Sequence, residues 1–343
     1  MDSRELYVRI AQGRSKSQDH AQLIYLGIDE GRTYIAPFVE QMLFESSAVT
    51  LDEAMAGVSL VEQLTGSHVD LIVVMAAARH IEAWKQPGDF MAVCRIHQVV
   101  DVSIGQADVV SRLSKREQKR RVMAMRDGFD FDVSRQDEDF YQFYRSMHVP
   151  TMHNRYGSHA RSVEEHQAYS RLFKQGVLVR IHFKGIWVAG SVSQIDASTR
   201  TLNARLIGVR EGAVEHRHSG AQNFVYHAIL QWAASEPDID YVDFQGCEPF
   251  LTKGTFQYKK RFATRAVIPD NLFGECRLLI RANRGSPSAR QFLINNPWLG
   301  VGADGHLVAH YCFDREHGPR TDIPFRSDGI VQSVLIDLDN WNA

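Results

Sequence analysis

Three stretches of alternating hydrophobicity follow one another between residues 177 and 209, and they limit the fold more than any other feature of the chain. Val177–Phe183 and Ile186–Ile195 are separated only by Lys184-Gly185, a two-residue turn suited to a hairpin. Arg200–Val209 comes after the polar turn Asp196-Ala197-Ser198-Thr199. A loop over Arg210–Gly220 then leads into Ala221–Ser235, where Phe224, Ile229 and Trp232 supply the apolar positions of a helix. Ile239–Phe244 reads as a further strand, closed by Gln245-Gly246. Strands in succession, then a helix, then a strand predict one mixed sheet with the Ala221–Ser235 helix packed on it. The fold class is α/β (α+β).

Upstream, Ser114-Lys115-Arg116-Glu117 has the spacing of a capping box, and a basic helix follows until Gly128 stops it. Phe129, Phe131 and Val133 alternate as in a half-buried strand. Asp137–Met147 is an aromatic helix, and Ser162-Val163-Glu164-Glu165 opens another that ends at Gly176. Before residue 110 the pattern gives strands at Leu23–Gly27, Val69–Ala76 and Phe90–Ile96, and an amphipathic helix at Asp52–Leu64. After residue 270, Gly302-Ala303-Asp304-Gly305 and Gly318-Pro319 mark turns in a β-rich extension. The expected organisation is an N-terminal α/β region at 1–112, a central domain at 113–269 and an extension at 270–343.

With 343 residues the chain can bury a large core, so neither disulfides nor a structural metal are needed to hold it. A net charge of −2 gives no global attraction to duplex DNA or to an anionic membrane. Cys94, Cys247, Cys276 and Cys312 form no C-x-x-C pair and read as reduced thiols. MDSRELYVRI lacks the apolar region of a secretory signal, and the longest apolar run, near Val69–Ala78, is broken by Asp70 and too short to span a bilayer. A cytoplasmic protein without membrane insertion is expected. His216-Arg217-His218, with His148, His153, His159 and His166 nearby, lacks the acidic partners and spacing of a catalytic metal site, so no metal is expected.

Several ordered segments resemble the FemAB-like branch of the GNAT superfamily of acyltransferases. They are the basic helix SKREQKRRVMAMRDG, the aromatic helix DFYQFYRSM with HNRYGSH after it, and the hairpin VRIHFKGIWVAGSVS with its "v-A-G" ending. NFVYHAILQWA, then YVDFQG, similar to the family's D-F-G-G, and TFQYKKRFA, similar to L-Y-x-F-K-x-x-F-G, complete the series. The resemblance covers residues 115–268 and implies a GNAT-like mixed sheet flanked by helices, in a family whose core is often duplicated. Residues 1–112 would then be a degenerate first half. Two positions depart from the pattern. Ala263 stands where the last motif has glycine, and the phosphate loop, normally Q/R-x-x-G-x-G/A, is matched only by Arg217-His218-Ser219-Gly220-Ala221-Gln222, with Gln222 in place of a small residue.

The resemblance implies transfer of an acyl or aminoacyl group from an activated donor, aminoacyl-tRNA or acyl-CoA, to an amine, with no tightly bound cofactor. The acceptor would be a small molecule or a cell-envelope precursor. Such a reaction needs a held carbonyl, an aligned amine and stabilisation of the charged transition state, but no serine or cysteine nucleophile. Lys259, at the family's motif lysine, is the candidate for that stabilisation. Asp243, at a strand end, is the candidate to orient the amine or accept its proton. Arg155, Tyr156, Tyr258 and Gln245 are candidate acceptor-pocket residues, and Arg210, Arg217, Gly220, Gln222 and Asn223 candidate donor-binding residues. Lys115, Arg116, Lys119, Arg120 and Arg121 could grip tRNA phosphates. The bland alternatives are a solvated basic face for the lysines and arginines, and a turn cap for Asp243. Other readings are a CoA-dependent small-molecule N-acyltransferase and a non-catalytic GNAT-like binding module. For the leading reading, Lys259→Ala should lower turnover ~10²–10³-fold, as loss of one oxyanion stabiliser does, while Lys260→Ala stays close to wild type. Steady-state kinetics of both variants check this, and equal small effects would reduce the segment to a basic surface.

Overall fold

The computed structural model describes residues 6–56, 63, 69–157 and 162–341. In chain order, the first strands are β1 (Leu6–Arg14), β2 (His20–Gly27), β3 (Val49–Ala56), β4 (Leu71–Ala77), β5 (Phe90–Val93) and β6 (Ile96–Asp101). They are followed by β7 (Phe129–Ser134), β8 (Gly176–Phe183), β9 (Ile186–Asp196), β10 (Thr201–Val209), β11 (Tyr241–Cys247) and β12 (Arg265–Val267). The last are β13 (Cys276–Ala282), β14 (Trp298–Val301), β15 (Leu307–Phe313) and β16 (Ile330–Asp337).

Two compact units divide the chain, one of Met1–Ile96, Gly246–Gln257 and Ala266–Ala343, the other of His97–Gln245 and Tyr258–Arg265. This differs from the boundaries expected at 112/113 and 269/270. Residues 97–112 go with the second unit, and the C-terminal segment is part of the first. The reason lies in strand pairing. β13 inserts between β4 and β5, giving the order β3-β1-β2-β4-β13-β5. Antiparallel ladders on both sides of β13 commit its backbone to that sheet. In sequence Asn271–Arg284 is only an apolar stretch mixed with arginine, which carries no sign of its partner strands.

The second unit holds the sheet β12-β6-β11-β10-β9-β8-β7. β7, β8, β9 and β10 form an antiparallel meander, and β11 joins β10 in parallel. The four strands expected in one sheet are thus together, three of them within one residue of the expected bounds and the last, β11, within three. Both sheets repeat one order: an antiparallel pair (β1-β2, β9-β10), a parallel third strand (β4, β11), then a strand inserted from elsewhere in the sequence (β13, β6) and a last edge strand (β5, β12). That shared strand order is consistent with a GNAT-like core present twice.

Period-two burial builds the second core. The helix Ala221–Ala233 lays Phe224, Val225, Ala228 and Ile229 on one face of the sheet, against Leu202, Val242 and Phe244. The opposite face buries Leu178, Val192 and Leu206 beneath Phe140, Phe143, Tyr144 and Met147. That aromatic helix is helical from Asp137 to Phe143, widens into a π-helical turn at Tyr144–His148, and continues as Val149–Tyr156. The basic helix runs over Lys115–Asp127, with Ser114 Oγ accepting from Glu117 N and Gly128 in the left-handed conformation at its end.

Other expectations change. Asp52–Leu64 does not begin as a helix: Val49–Ala56 is edge strand β3, paired with β1, because the ladder satisfies backbone groups that a weak helical period could not outbid. Residues 57–62 and 64 of that segment lie outside the described residues. Phe90–Ile96 is not one strand, since β5 and β6 join different sheets with Cys94-Arg95 between them. The loop Arg210–Gly220 contains a 3-10 turn at Arg210–Gly212 and a short helix at Val214–His218. The expected β-rich extension also carries the helix Pro287–Asn295, capped by Ser286.

The π-helical turn is pressed against β10 at Gly208. A Cβ there would lie 2.6 Å from His148 N and from Met147 C, which are backbone atoms with no room to yield. Gly208→Ala should therefore destabilise the protein by about 1–3 kcal/mol, the usual cost of overpacking. Urea unfolding should show it as a lower midpoint with an unchanged slope.

Candidate functional site

The parallel pair β10/β11 is short. Thr201 faces Tyr241, Leu202 faces Val242, and Asn203 faces Asp243, and there the ladder ends. β10 continues to Val209 and β11 to Cys247, so the two strands part at Asn203/Asp243. A register shift against β9 between Ala204 and Leu206 bends β10 at the same level. The result is a fork whose inner edges carry backbone groups that β10 and β11 no longer give each other.

Gln245 stands at the fork in the left-handed conformation, with φ 65. It is the position at which the D-F-G-G motif has glycine, and a side chain there is strained. Three hydrogen bonds hold it. Its N–H donates to Asp243 Oδ1 at 2.6 Å, its carbonyl accepts from Lys259 Nζ at 2.8 Å, and its Nε2 donates to Asn203 Oδ1 at 3.2 Å. Ala263 repeats the situation, with φ 57 where the second motif has glycine. Both turns are left-handed without the residue that makes them easy.

Asp243 and Lys259, the catalytic candidates, are thus brought together at Gln245, one of the acceptor-pocket candidates. Lys259 is not part of a solvated basic face, however. It is only 5% exposed, so its removal will weaken folding as well as any chemistry. Lys260 is not an ordinary solvated lysine either, because burial, with the Arg261 charge beside it, lowers its pKa to about 8. On the other oxygen of Asp243, His97 of β6 places Nδ1 at 2.6 Å from Oδ2. Sequence reading missed His97. The only signal is a histidine on the polar side of the alternating run Ile96–Asp101.

Tyr258 and Asn223 meet in a second, buried network. Asn223 Nδ2 donates to the Tyr258 hydroxyl and to Glu117 Oε2, both at 2.9 Å. Arg120 donates to Glu117 Oε1 at 2.9 Å, and His227 Nε2 lies 3.6 Å from Oε2. Glu117 is fully buried. Its carboxylate does not return to the Ser114 N–H as a capping box requires, and that N–H donates instead to the Arg261 carbonyl. Burial alone would raise the Glu117 pKa, but His227, Asn223 and the Arg120 charge outweigh it and hold the carboxyl at about 2. Burial, with Tyr226 nearby, pushes the Tyr258 hydroxyl well up. Asn223, a candidate donor ligand, is therefore turned into the core.

The remaining candidates are spread out. Arg210 is exposed at the end of β10, paired loosely with Glu211. Gly220, with φ 96, is the N-cap of the Ala221–Ala233 helix, and Gln222 lies in its first turn. Arg155 is exposed on Val149–Tyr156, while the side chains of Tyr156 and Arg217 lie outside the described residues. Of the basic run, Lys115, Arg116 and Lys119 face solvent, whereas Arg120 is bound to Glu117 and Arg121 to Gln231. No helix among the described residues is long and apolar enough to cross a membrane.

No family model and no curated protein matches the chain. Among solved structures, it is similar to FemX, at 11% identity and a TM-score of 0.43 over 81% of this chain and 89% of that one. It is also similar to L-PGS from Bacillus licheniformis, at 10% and 0.38 over 82% and 86%. A GCN5-related N-acetyltransferase from Kribbella flavida matches at 10% and 0.32 over 77% and 82%. The fold reading itself rests on the strand order and register.

The Glu117 network has a measurable signature. A carboxyl at about 2 when folded, against roughly 4.3 unfolded, adds stability that is complete above the unfolded value. That stability is lost as pH falls toward the folded value. Glu117→Gln should cost about 3 kcal/mol at pH 7, as breaking a buried charged pair does. The gap to wild type should shrink as pH falls through this window. Urea midpoints of both proteins across the acid range check it, and a gap independent of pH would mean that the carboxylate charge is not what counts.

Proposed function

We propose that the chain transfers an acyl or aminoacyl group from an activated donor to an amine, forming an amide. The observation that carries this reading is the fork itself. Beyond Asp243 the parallel pair opens at a strained residue, and the β11 side of the gap can admit the carbonyl of a donor. Beside it is a buried ammonium, Lys259, whose fixed charge can act on a carbonyl oxygen as it becomes negative. Asp243 and His97 supply polar groups on the same side of β11.

Of the two donors, aminoacyl-tRNA is favoured. An extended thioester arm would lie along the free edge of β10, but the chain covers much of that edge itself. His148 Nδ1 donates to the Ile207 carbonyl at 3.0 Å, and Thr151 Oγ1 accepts from Val209 N at 2.9 Å. Asn154 Nδ2 reaches the Gly212 carbonyl at 3.2 Å, and backbone of Pro150 lies against Gly212. Gln222 stands in the first turn of the Ala221–Ala233 helix where the phosphate loop has a small residue. Lys115, Arg116 and Lys119, exposed on the basic helix and without an ion pair among the described residues, suit a polyphosphate chain. The acceptor on this reading is an amine of a small molecule or a cell-envelope precursor.

Calorimetry with acetyl-CoA should give a Kd above ~100 μM, about −5.5 kcal/mol. Binding of bulk tRNA should weaken steeply with salt, and removing Lys115, Arg116 and Lys119 together should lower the slope of log K against log salt by roughly 2–3. Sub-micromolar acetyl-CoA binding together with salt-independent tRNA binding would replace this reading with the CoA-dependent one.

A further inference from the structure

We infer that His97 is the general base of the transfer reaction, with Asp243 as its positioning residue; the inference rests on the reading above and adds the group that takes the proton. Asp243 lies in β11, and its Oδ2 stands 2.6 Å from Nδ1 of His97 in the neighbouring strand β6. An ionised carboxylate has no proton to give, so the hydrogen between Oδ2 and Nδ1 belongs to the ring. In the neutral ring this fixes the Nδ1–H tautomer and leaves Nε2 with an unshared pair, the form that accepts a proton. The carboxylate is itself fixed from the other side, since Oδ1 accepts from Gln245 N at 2.6 Å. An oriented imidazole backed by a buried carboxylate is the arrangement that makes histidine an effective base.

The position fits the chemistry. From His97 to the Lys259 ammonium the path is three hydrogen bonds, through the Asp243 carboxylate and the Gln245 backbone, at 2.6, 2.6 and 2.8 Å. The group that would withdraw a proton from the amine and the group that would stabilise the carbonyl oxygen are thus braced against one residue, Gln245. The His97 side chain is 15% exposed, less buried than the Asp243 behind it at 10%, as a base that must meet an acceptor requires.

The step balances without any further reagent. The acceptor nitrogen forms a bond to the donor carbonyl carbon and gives one proton to His97 Nε2. The ester C–O bond to the tRNA ribose then breaks, and the imidazolium returns the proton to the leaving ribose oxygen. The products are an amide and a free hydroxyl, with His97 neutral again.

A purely structural role, in which His97 only pins β6 to β11, makes a different prediction. His97→Gln keeps an N–H donor for Asp243 but lacks a basic nitrogen. The probes are tRNA charged with labelled amino acids as donor, and glucosamine and a lysyl peptide as acceptors, with label moved to the amine as readout. His97→Gln should lose ~10²–10⁴-fold in turnover with tRNA affinity unchanged, and added imidazole should restore part of the loss in His97→Ala. Turnover of His97→Gln within a factor of about three of wild type would overturn the proposal. Independently of activity, long-range proton–nitrogen NMR of the full chain should show His97 as the Nδ1–H tautomer, and Asp243→Asn should change it. An Nε2–H tautomer in the wild-type protein would overturn the assignment of the base even if transfer is observed. Absence of transfer by the wild type, with tRNA charged with each amino acid in turn, would instead overturn the transferase reading, and this proposal with it.

Discussion

The backbone of Gln245 is the constraint on which the second unit turns. A non-glycine residue at φ 65 costs on the order of 1 kcal/mol, and the cost recurs at Ala263. At Gln245 the strain is held by Asp243, Lys259 and Asn203, which between them engage its N–H, its carbonyl and its amide. The turn takes β11 out of the ladder after Asp243, and β10 bends away at its own register shift. Strand separation, the position of Lys259 and the orientation of the Asp243 carboxylate therefore follow from one local geometry. Strain at a residue surrounded by polar groups is what a site, more than a core, requires.

Buried charge is the second organising feature. Glu117, Asp243 and Lys259 are all less than a tenth exposed, and an isolated charge in such places would not be tolerated. Each survives because it is bound: Glu117 by Arg120 and Asn223, Asp243 by His97 and the Gln245 N–H, Lys259 by the Gln245 carbonyl. Tyr258 and Lys259 are adjacent in sequence but serve different networks, one reaching Asn223 and Glu117, the other Gln245. A change in one network is thereby felt next to the other. The basic helix, through Glu117 and the Ser114–Arg261 backbone bond, is fastened to the same segment.

The two larger sheets show how the fold is assembled. Each is completed by a strand from a distant part of the chain, β13 in one and β6 in the other. Neither sheet is whole until both halves of the sequence exist. His97 reaches Asp243 only because β6 is one of those inserted strands, so the juxtaposition at the fork depends on long-range pairing and not on any local motif.

Sequence alone determined the elements whose signals are local. The strands from 176 to 209, the Ser114 cap, the Gly128 stop and the Ala221–Ala233 helix follow from alternation, capping and turn chemistry within a few residues. Asp243, Gln245 and Lys259 were singled out by a motif resemblance, and hydrogen bonds join them in the structure. Tertiary structure decided the rest, since the deciding interactions join residues far apart. β3 is a strand because β1 offers it a ladder, and residues 97–112 belong to the second unit because β6 lies beside β11. Glu117 leaves its cap because Asn223 and Arg120 meet it in the core, 106 and 3 residues away. His97 stands 146 residues before Asp243 and is paired with it by sheet order alone. No period, cap or turn encodes such a pairing: it arises when backbone groups with no local partner find one elsewhere in the chain.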